Sequence, residues 1–336
     1  MAMLFEVLGL RKEYGGVDAL NISMLSLPEG KVFGLIGPNG AGKTTLLELM
    51  AGLMPASSGI VRFKDRVVTH TEDSLPVRRR MTYLAQNPVM FQGSVLDNVA
   101  YGLKVRGIRR TERRRRASEA LDEVGLSRLA QREADGLSSG ERQRTAFARA
   151  MCIRPEAILL DEPTANVDQA TVPVLHGLIR RLNQDRHISI VFTSHDLQET
   201  ISLSDRIVAL ERGRLVPSPV ENLFSGTIEH SSDDRSFVRI TEGLRIEVVT
   251  GKIGTARITI NPQGIILSRD PVKTSARNTF SGVVTHLESR GPIAQVIVDI
   301  GIPLLVQITQ ASQREMGIAR GMAVHISFKT VSVAVY

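Results

Sequence analysis

The run Gly37-Pro38-Asn39-Gly40-Ala41-Gly42-Lys43-Thr44-Thr45 constrains this chain more than any other feature of it. Its glycines let the backbone curl until successive N–H groups point inward as an anion cradle. A helix starting near Lys43 aims its positive dipole end at the same point. Lys43 supplies a point charge for a β- or γ-phosphate, and Thr44 a hydroxyl for Mg²⁺. The flanks fit this reading. Val32–Ile36 has the texture of a buried strand, and Leu46, Leu47 and Met50 take core positions in a helix expected over 44–53. Strand, glycine loop and helix together form a phosphate-binding P-loop, which calls for a parallel α/β sheet around it.

Further short apolar runs supply that sheet. Residues 4–10, 157–160 and 189–192 read as strands. The run 157–160 ends in Asp161 and Glu162. Two carboxylates at the end of a buried strand are costly unless they have work to do. Strand alternation is expected to turn Asp161 toward Mg²⁺ and Glu162 toward the water that attacks a γ-phosphate, as general base or water positioner. A helix is expected over 111–124, with Thr111 as its cap and Ala117, Ala120, Leu121 and Val124 on one face.

Composition narrows the class. The chain has 336 residues, 42% of them apolar, enough for a large domain and a smaller one. The first ten residues lack the basic start and apolar run of a secretory leader, so none is expected. The run 293–308 is the longest candidate to cross a bilayer, and Gln295, Asp299, Gly301 and Pro303 interrupt it. The single cysteine, Cys152, excludes an internal disulfide and reads as a small buried hydrophobe. The net charge of +7 is local: residues 104–116 hold eight basic side chains against Glu112 alone, which accounts for all of it. The rest is balanced, so a polycationic nucleic-acid binder is not expected. The basic segment is expected to be a solvated helix face, with anionic lipid headgroups as the alternative.

A third motif separates this chain from other P-loop proteins. Leu137-Ser138-Ser139-Gly140-Glu141-Arg142-Gln143-Arg144 resembles the Leu-Ser-Gly-Gly-Gln signature of the ABC transporter ATPases, with Ser139 for the first Gly and Glu141 for Gln. The resemblance spans roughly residues 3–225. It implies that Ser138, Ser139 and Gly140 grip the γ-phosphate of ATP held by a second subunit. Tyr14 resembles the aromatic residue that stacks on adenine. Gln86 resembles the glutamine that reaches Mg²⁺ and the attacking water, and its loop the contact to the membrane partner. Asn166, Val167 and Asp168 resemble the loop that crosses the dimer interface, and His195 the histidine that contacts the γ-phosphate. The implied cofactors are ATP and Mg²⁺, the latter on Thr44, Gln86 and Asp161. The implied assembly is a homodimer at the cytoplasmic face of the cell membrane, held there by permease subunits and served through them by a substrate-binding protein.

Beyond about residue 231 the texture changes to short period-two runs: Val296/Val298/Ile300, Val324/Ile326/Phe328 and Val331/Val333/Val335. The join at Pro217, Pro219, Ser225, Gly226 and Ser231-Ser232-Asp233-Asp234 reads as a linker. The expected organisation is an ATPase domain over 1–230, with a helical insertion, and a small all-β, OB-like barrel over 231–336. Through Thr274-Ser275-Ala276-Arg277-Asn278, Gly282, Ile308-Thr309-Gln310-Ala311-Ser312, Gly321 and Ser327-Phe328-Lys329, residues 273–336 resemble the Mop/TOBE-like oxyanion-binding barrel of molybdate and tungstate import ATPases. Ser275, Arg277 and Lys329 are of the types a tetrahedral dianion wants. The expected function is ATP hydrolysis coupled to uptake of tungstate or molybdate. The alternatives are sulfate, ferric iron, sugar or polyamine as cargo, and a soluble ATPase linked to nucleic acid.

Overall fold

The structure, a computed structural model, describes residues 2–216, 218, 220–231 and 235–336. The chain divides into two compact units, Met1–Pro217 and Ser218–Tyr336.

The first unit is built on two sheets. An antiparallel one, in the order β2-β1-β4-β5, holds β1 (Met3–Tyr14), β2 (Val17–Pro28), β4 (Ser58–Phe63) and β5 (Arg66–Val68). A six-stranded one has the order β10-β9-β3-β8-β7-β6. Its members are β3 (Val32–Ile36), β6 (Met81–Leu84), β7 (Ala157–Leu160), β8 (Ser189–Thr193), β9 (Arg206–Glu211) and β10 (Arg214–Val216). The first five of these run parallel and only β10 is antiparallel. Every residue of β3, β7 and β8 is buried, as strands covered on both faces require. Because β3, β6, β7 and β8 are parallel, the segments that follow them leave from one sheet edge. That edge gathers the phosphate loop, Gln86, Asp161-Glu162 and His195.

Helix α1 (Lys43–Met50) follows the phosphate loop, and a short α2 (Leu75–Arg78) precedes β6. Between β6 and β7 lies the helical insertion: α3 (Val95–Val105), α4 (Arg110–Glu123) and α5 (Ser139–Cys152). Its core includes Val95, Val99, Leu103, Ala117, Leu121 and Phe147, and it also takes in Cys152. Burial pushes the Cys152 thiol up to about 12, which keeps it an unreactive thiol. Helices α6 (Thr171–Gln184) and α7 (Leu197–Leu203) flank β8. Thr111 is not a cap. The helix begins at Arg110 with Arg109 before it, because Ile108 packs on the core and fixes the turn earlier. Among the described residues no helix is long and apolar enough to cross a membrane.

The second unit is all-β, in two antiparallel five-stranded sheets around one core. The first has the order β13-β12-β11-β14-β20: β11 (Leu223–His230), β12 (Ser236–Thr241), β13 (Leu244–Val248), β14 (Gly254–Ile260) and β20 (Val333–Val335). The second has the order β15-β19-β16-β17-β18: β15 (Ile266–Ser268), β16 (Asn278–Arg290), β17 (Ile293–Asp299), β18 (Pro303–Thr309) and β19 (Ala323–Phe328), with α8 (Gln310–Glu315) after β18. In β17 the alternation is complete: Ala294, Val296 and Val298 are buried and their neighbours are not.

Three readings of this region change. Ser225 and Gly226 are not linker but lie within β11, which belongs to the second unit although the expected boundary put it in the first. Gly226 serves that strand, since a Cβ there would meet the Arg239 carbonyl at 2.4 Å. Val331 is 77% exposed in a turn, so the last strand starts only at Val333. Pro217, Pro219, Ser232, Asp233 and Asp234 lie outside the described residues.

Candidate functional site

The site starts from the backbone of the phosphate loop. Gly42, at φ 96°, holds the residue before α1 in the left-handed region, and a Cβ there would come within 2.8 Å of the Ala19 carbonyl. The loop therefore closes tightly and α1 begins at Lys43 with its free N–H groups at the loop. Lys43 is only 6% exposed, and its ammonium donates to the carbonyls of Gly37 at 2.7 Å and Pro38 at 3.2 Å. Pro38, Asn39, Gly40 and Ala41 complete the turn into the helix, and Thr45 lies in its first turn.

Asp161 is buried beside this helix start. Thr44 Oγ1 donates to its carboxylate at 2.9 and 3.1 Å, Thr193 Oγ1 at 2.7 Å and the Tyr83 hydroxyl at 3.2 Å. Burial raises the Tyr83 phenol well above its ordinary value and the Asp161 charge adds to this, so Tyr83 stays a donor. Burial, with the same charge beside it, raises the Glu48 carboxyl in α1.

Strand alternation is not what separates the two carboxylates. Strand β7 ends at Leu160, and Glu162 takes φ 42°. A non-glycine residue there is costly unless its neighbours hold it. They do: Glu162 N–H donates to Thr193 Oγ1 at 2.8 Å, the same hydroxyl that donates to Asp161. One threonine at the end of β8 thus fixes both acids, Asp161 toward Thr44 and Glu162 the other way. The Glu162 carboxylate accepts from Gln86 Nε2 at 3.2 Å and lies 3.6 Å from His195 Nδ1. Gln86, Glu162 and His195 therefore meet in one place.

Behind them sits a carboxylate that no motif announces. Glu199, in α7, accepts from Thr164 Oγ1 at 2.6 Å and Ser194 Oγ at 2.6 Å, and lies 2.8 Å from His176 Nε2. Burial alone would raise its carboxyl, but these hydrogen bonds outweigh burial and hold it below its ordinary value. Thr164 follows the Asp161-Glu162 pair and Ser194 precedes His195, so Glu199 ties the two loops together. Asp196 caps α7 by accepting from the N–H groups of Gln198 at 2.7 Å and Glu199 at 3.1 Å.

The signature segment forms the start of α5. Ser138 is its cap, accepting from Glu141 N–H at 3.2 Å, and Glu141 reaches back to Ser138 N–H at 2.9 Å. The Ser138 N–H lowers the Glu141 carboxyl. Gly140 is buried, and a Cβ there would meet Thr171 Oγ1 at 2.6 Å and Asp168 Oδ2 at 2.9 Å. Asp168 accepts from Thr171 Oγ1 at 2.8 Å and Thr171 N–H at 2.9 Å, and the first of these bonds leads in lowering its carboxyl. Gln86, Ser139, Arg142, Gln143, Asn166 and Val167 line a common cavity of about 170 Å³. The glutamine loop, the signature and the Asp168 loop thus converge. Among the described residues no hydrogen bond joins Ser138 or Ser139 to the chain's own phosphate loop.

Two further groups of expected residues have surroundings of their own. Tyr14, 53% exposed, has Lys12 Nζ 5.0 Å over its ring and its hydroxyl 3.4 Å from Met54 Sδ. In the second unit, Asn278 pairs with Phe328, so Arg277 and Lys329 flank one end of the β16–β19 pair. Arg277 is engaged there by Glu247 at 3.1 Å, and Ser275 is exposed in the preceding loop.

The donors around Thr44 and Asp161 are all oxygens, which suits Mg²⁺, an ion usually held by one or two carboxylates plus substrate phosphates. No cluster of three His, Cys, Asp or Glu that could hold a softer metal occurs among the described residues.

A parallel sheet whose carboxyl edge carries this loop, two divergent acids and a capped signature helix defines a nucleotide-hydrolysing cassette. Residues 20–165 match the ABC transporter family and residues 274–335 the TOBE domain. The molybdate/tungstate import ATP-binding protein WtpC of Pyrococcus abyssi is 35% identical, over 99% of this chain and 100% of that one. The sulfate/thiosulfate import ATP-binding protein CysA of Rhodopseudomonas palustris is 32% identical, over 91% of this chain and 92% of that one. A solved dimeric, post-hydrolysis ATP-binding cassette bound to ADP and Pi is 28% identical, with a TM-score of 0.58 over 63% of this chain and 96% of that one. The chain belongs to the ABC transporter family and is an ATP-binding, ATP-hydrolysing subunit of it.

Proposed function

We propose that this chain drives uptake of an oxyanion, tungstate or molybdate, as a homodimer docked on permease subunits at the cytoplasmic face of the membrane. The carrying observation is the likeness to the molybdate/tungstate import protein across the whole chain, the all-β unit included. The sulfate/thiosulfate relative, nearly as long in its match, supports sulfate as the second reading.

In this reading the phosphate loop and Lys43 hold the ATP phosphates, with Tyr14 against the base. Thr44, Asp161 and Gln86 would hold Mg²⁺, which would neutralise phosphate charge when bound. Glu162 orients the attacking water and accepts its proton, while His195 contacts the γ-phosphate. The signature of one subunit faces the phosphate loop of its partner, a reading supported by the likeness to a solved dimeric cassette. The γ-phosphate then bridges the protomers until hydrolysis removes it. Closure reaches the permease through the stretch after Gln86, where Val89, Phe91 and Tyr101 are exposed and the rings of the last two meet in a tilted pair, 4.3 Å between centroids. Arg277, Lys329 and Ser275 are the oxyanion candidates of the all-β unit. Anion binding there must displace Glu247 from Arg277.

The test is metal content in cells lacking this chain. Tungsten and molybdenum should fall, and return with the wild-type chain but not with Glu162→Gln. Unchanged metal content with a loss of sulfate uptake would transfer the chain to the second reading.

A further inference from the structure

We propose that the α3–α4 hairpin carries a docking surface for an anionic phospholipid bilayer, made by Lys104, Arg109, Arg110, Arg113 and Arg114. The structure sorts the basic side chains of this segment into two sets. Arg115 and Arg116 pair with Glu112, and Arg115 also pairs with Glu119. Arg106 donates to the Arg79 carbonyl at 2.6 Å. Lys104, Arg109, Arg110, Arg113 and Arg114 have no side-chain hydrogen bond or ion pair among the described residues, and all but Arg113 are exposed.

Position adds to the contrast. Arg110, Arg113 and Arg114 follow the i, i+3, i+4 spacing and share a stripe with Ala117, Ala120 and Leu121. The last three are buried, while the same stripe one turn earlier is arginine. Along one stripe the helix therefore changes from apolar and buried to cationic and mostly exposed. These charges also sit at the positive end of the α4 dipole, where cations are disfavoured. Glu112 is the one acid of that turn and is already taken by Arg115 and Arg116. Folding alone gives no reason to put arginines here, whereas a negatively charged partner does.

A lipid surface fits better than nucleic acid. The neighbouring exposed residues on α3 are Val105 at 58% and Tyr101 at 41%, an apolar side chain and an amphipathic one of interfacial kind. No row of aromatic rings interleaves the arginines as a base-stacking platform would. Tyr101 belongs to the stretch assigned above to the permease, and Lys104 lies one turn further along α3. The inference rests on that assignment for where the hairpin sits in the cell.

The experiment is co-sedimentation of the full chain with vesicles of phosphatidylcholine, with and without phosphatidylglycerol, following ATP turnover in the same samples. Binding should require phosphatidylglycerol and fall as salt rises. The variant Arg109→Gln/Arg110→Gln/Arg113→Gln/Arg114→Gln should bind about three orders of magnitude more weakly and keep its turnover. A charge-matched control, Lys31→Gln/Arg66→Gln/Arg269→Gln/Arg320→Gln, should bind as wild type. Equal binding to both vesicles, an unaffected quadruple variant, or RNA outcompeting the vesicles would each overturn the proposal. Lipid binding that follows the arginines in a chain without turnover would leave it standing and sink the transport reading instead.

Discussion

Glu199 accepts hydrogen bonds from partners on three segments: Ser194 just before α7, His176 in α6, 23 residues away, and Thr164 after β7, 35 residues away. A largely desolvated carboxylate with three partners is stable only while all three stay in place. We therefore expect Glu199→Ala to lose about 2 kcal/mol in urea unfolding, because it strands the buried Ser194 hydroxyl and the half-buried Thr164 and His176. Glu199→Gln keeps the shape and loses the charge. Its turnover should fall at least about tenfold, with ATP affinity within about twofold of wild type, since the side chain acts through the placement of Glu162 and His195 and not on the nucleotide. A matching loss of ATP affinity would make the role merely structural. The pH dependence has a fixed sign. The Glu199 carboxyl is held below its ordinary 4.5, so its contribution is full above that value and disappears as pH falls through the folded one. The stability gap between wild type and Glu199→Gln should narrow below pH 4.5. Lys43, Thr44, Asp161, Glu162 and Gln86 were legible because each stands in a contiguous motif beside a strand end. Glu199, Tyr83 and Thr193 were not, because their partners come together only when parallel strands bring distant segments to one edge.

Helix α5 shows what an element adds to its motif. The Glu141 that departs from the family's glutamine closes the reciprocal cap with Ser138, so the departure keeps the helix start intact. The Gly140 that follows the signature serines is required from the side, by Thr171 and Asp168 at the start of α6. We expect Gly140→Ala to lose about 1–2 kcal/mol net, the overpacking outweighing the helix propensity that alanine adds. Thr171→Ala removes the nearest atom of that contact, at 2.6 Å. The double variant should then be less destabilised than the sum of the singles. Additivity within about 0.5 kcal/mol in urea midpoints would mean that Gly140 serves something else. Helix α5 could be read from sequence because its cap is local. The start of α4 could not, because packing of Ile108 sets the turn and leaves Thr111 inside the first helical turn.

At the scale of the whole molecule the division at Pro217/Ser218 decides what can fold alone. Composition put the boundary near 230, since Ser225 and Gly226 look like linker and the charged join follows them. The strand identity of 223–230 depends on pairing, which no local signal carries. In the structure β11 is the middle strand of its sheet: residues 227–230 pair with β12 and residues 223–228 with β14. It also contributes Ile228 to the core of the second unit. A fragment 218–336 keeps all ten strands and the whole of that core. A fragment 231–336 keeps the core almost complete but leaves the facing edges of β12 and β14 unpaired. Open edges of that kind invite association with other chains. We therefore expect 218–336 to unfold in a single cooperative thermal transition as a soluble species, and 231–336 to aggregate or to lack a transition. Equal stability of the two fragments, measured by thermal denaturation, would mean that β11 is not part of the folding unit and would return the boundary to the charged join.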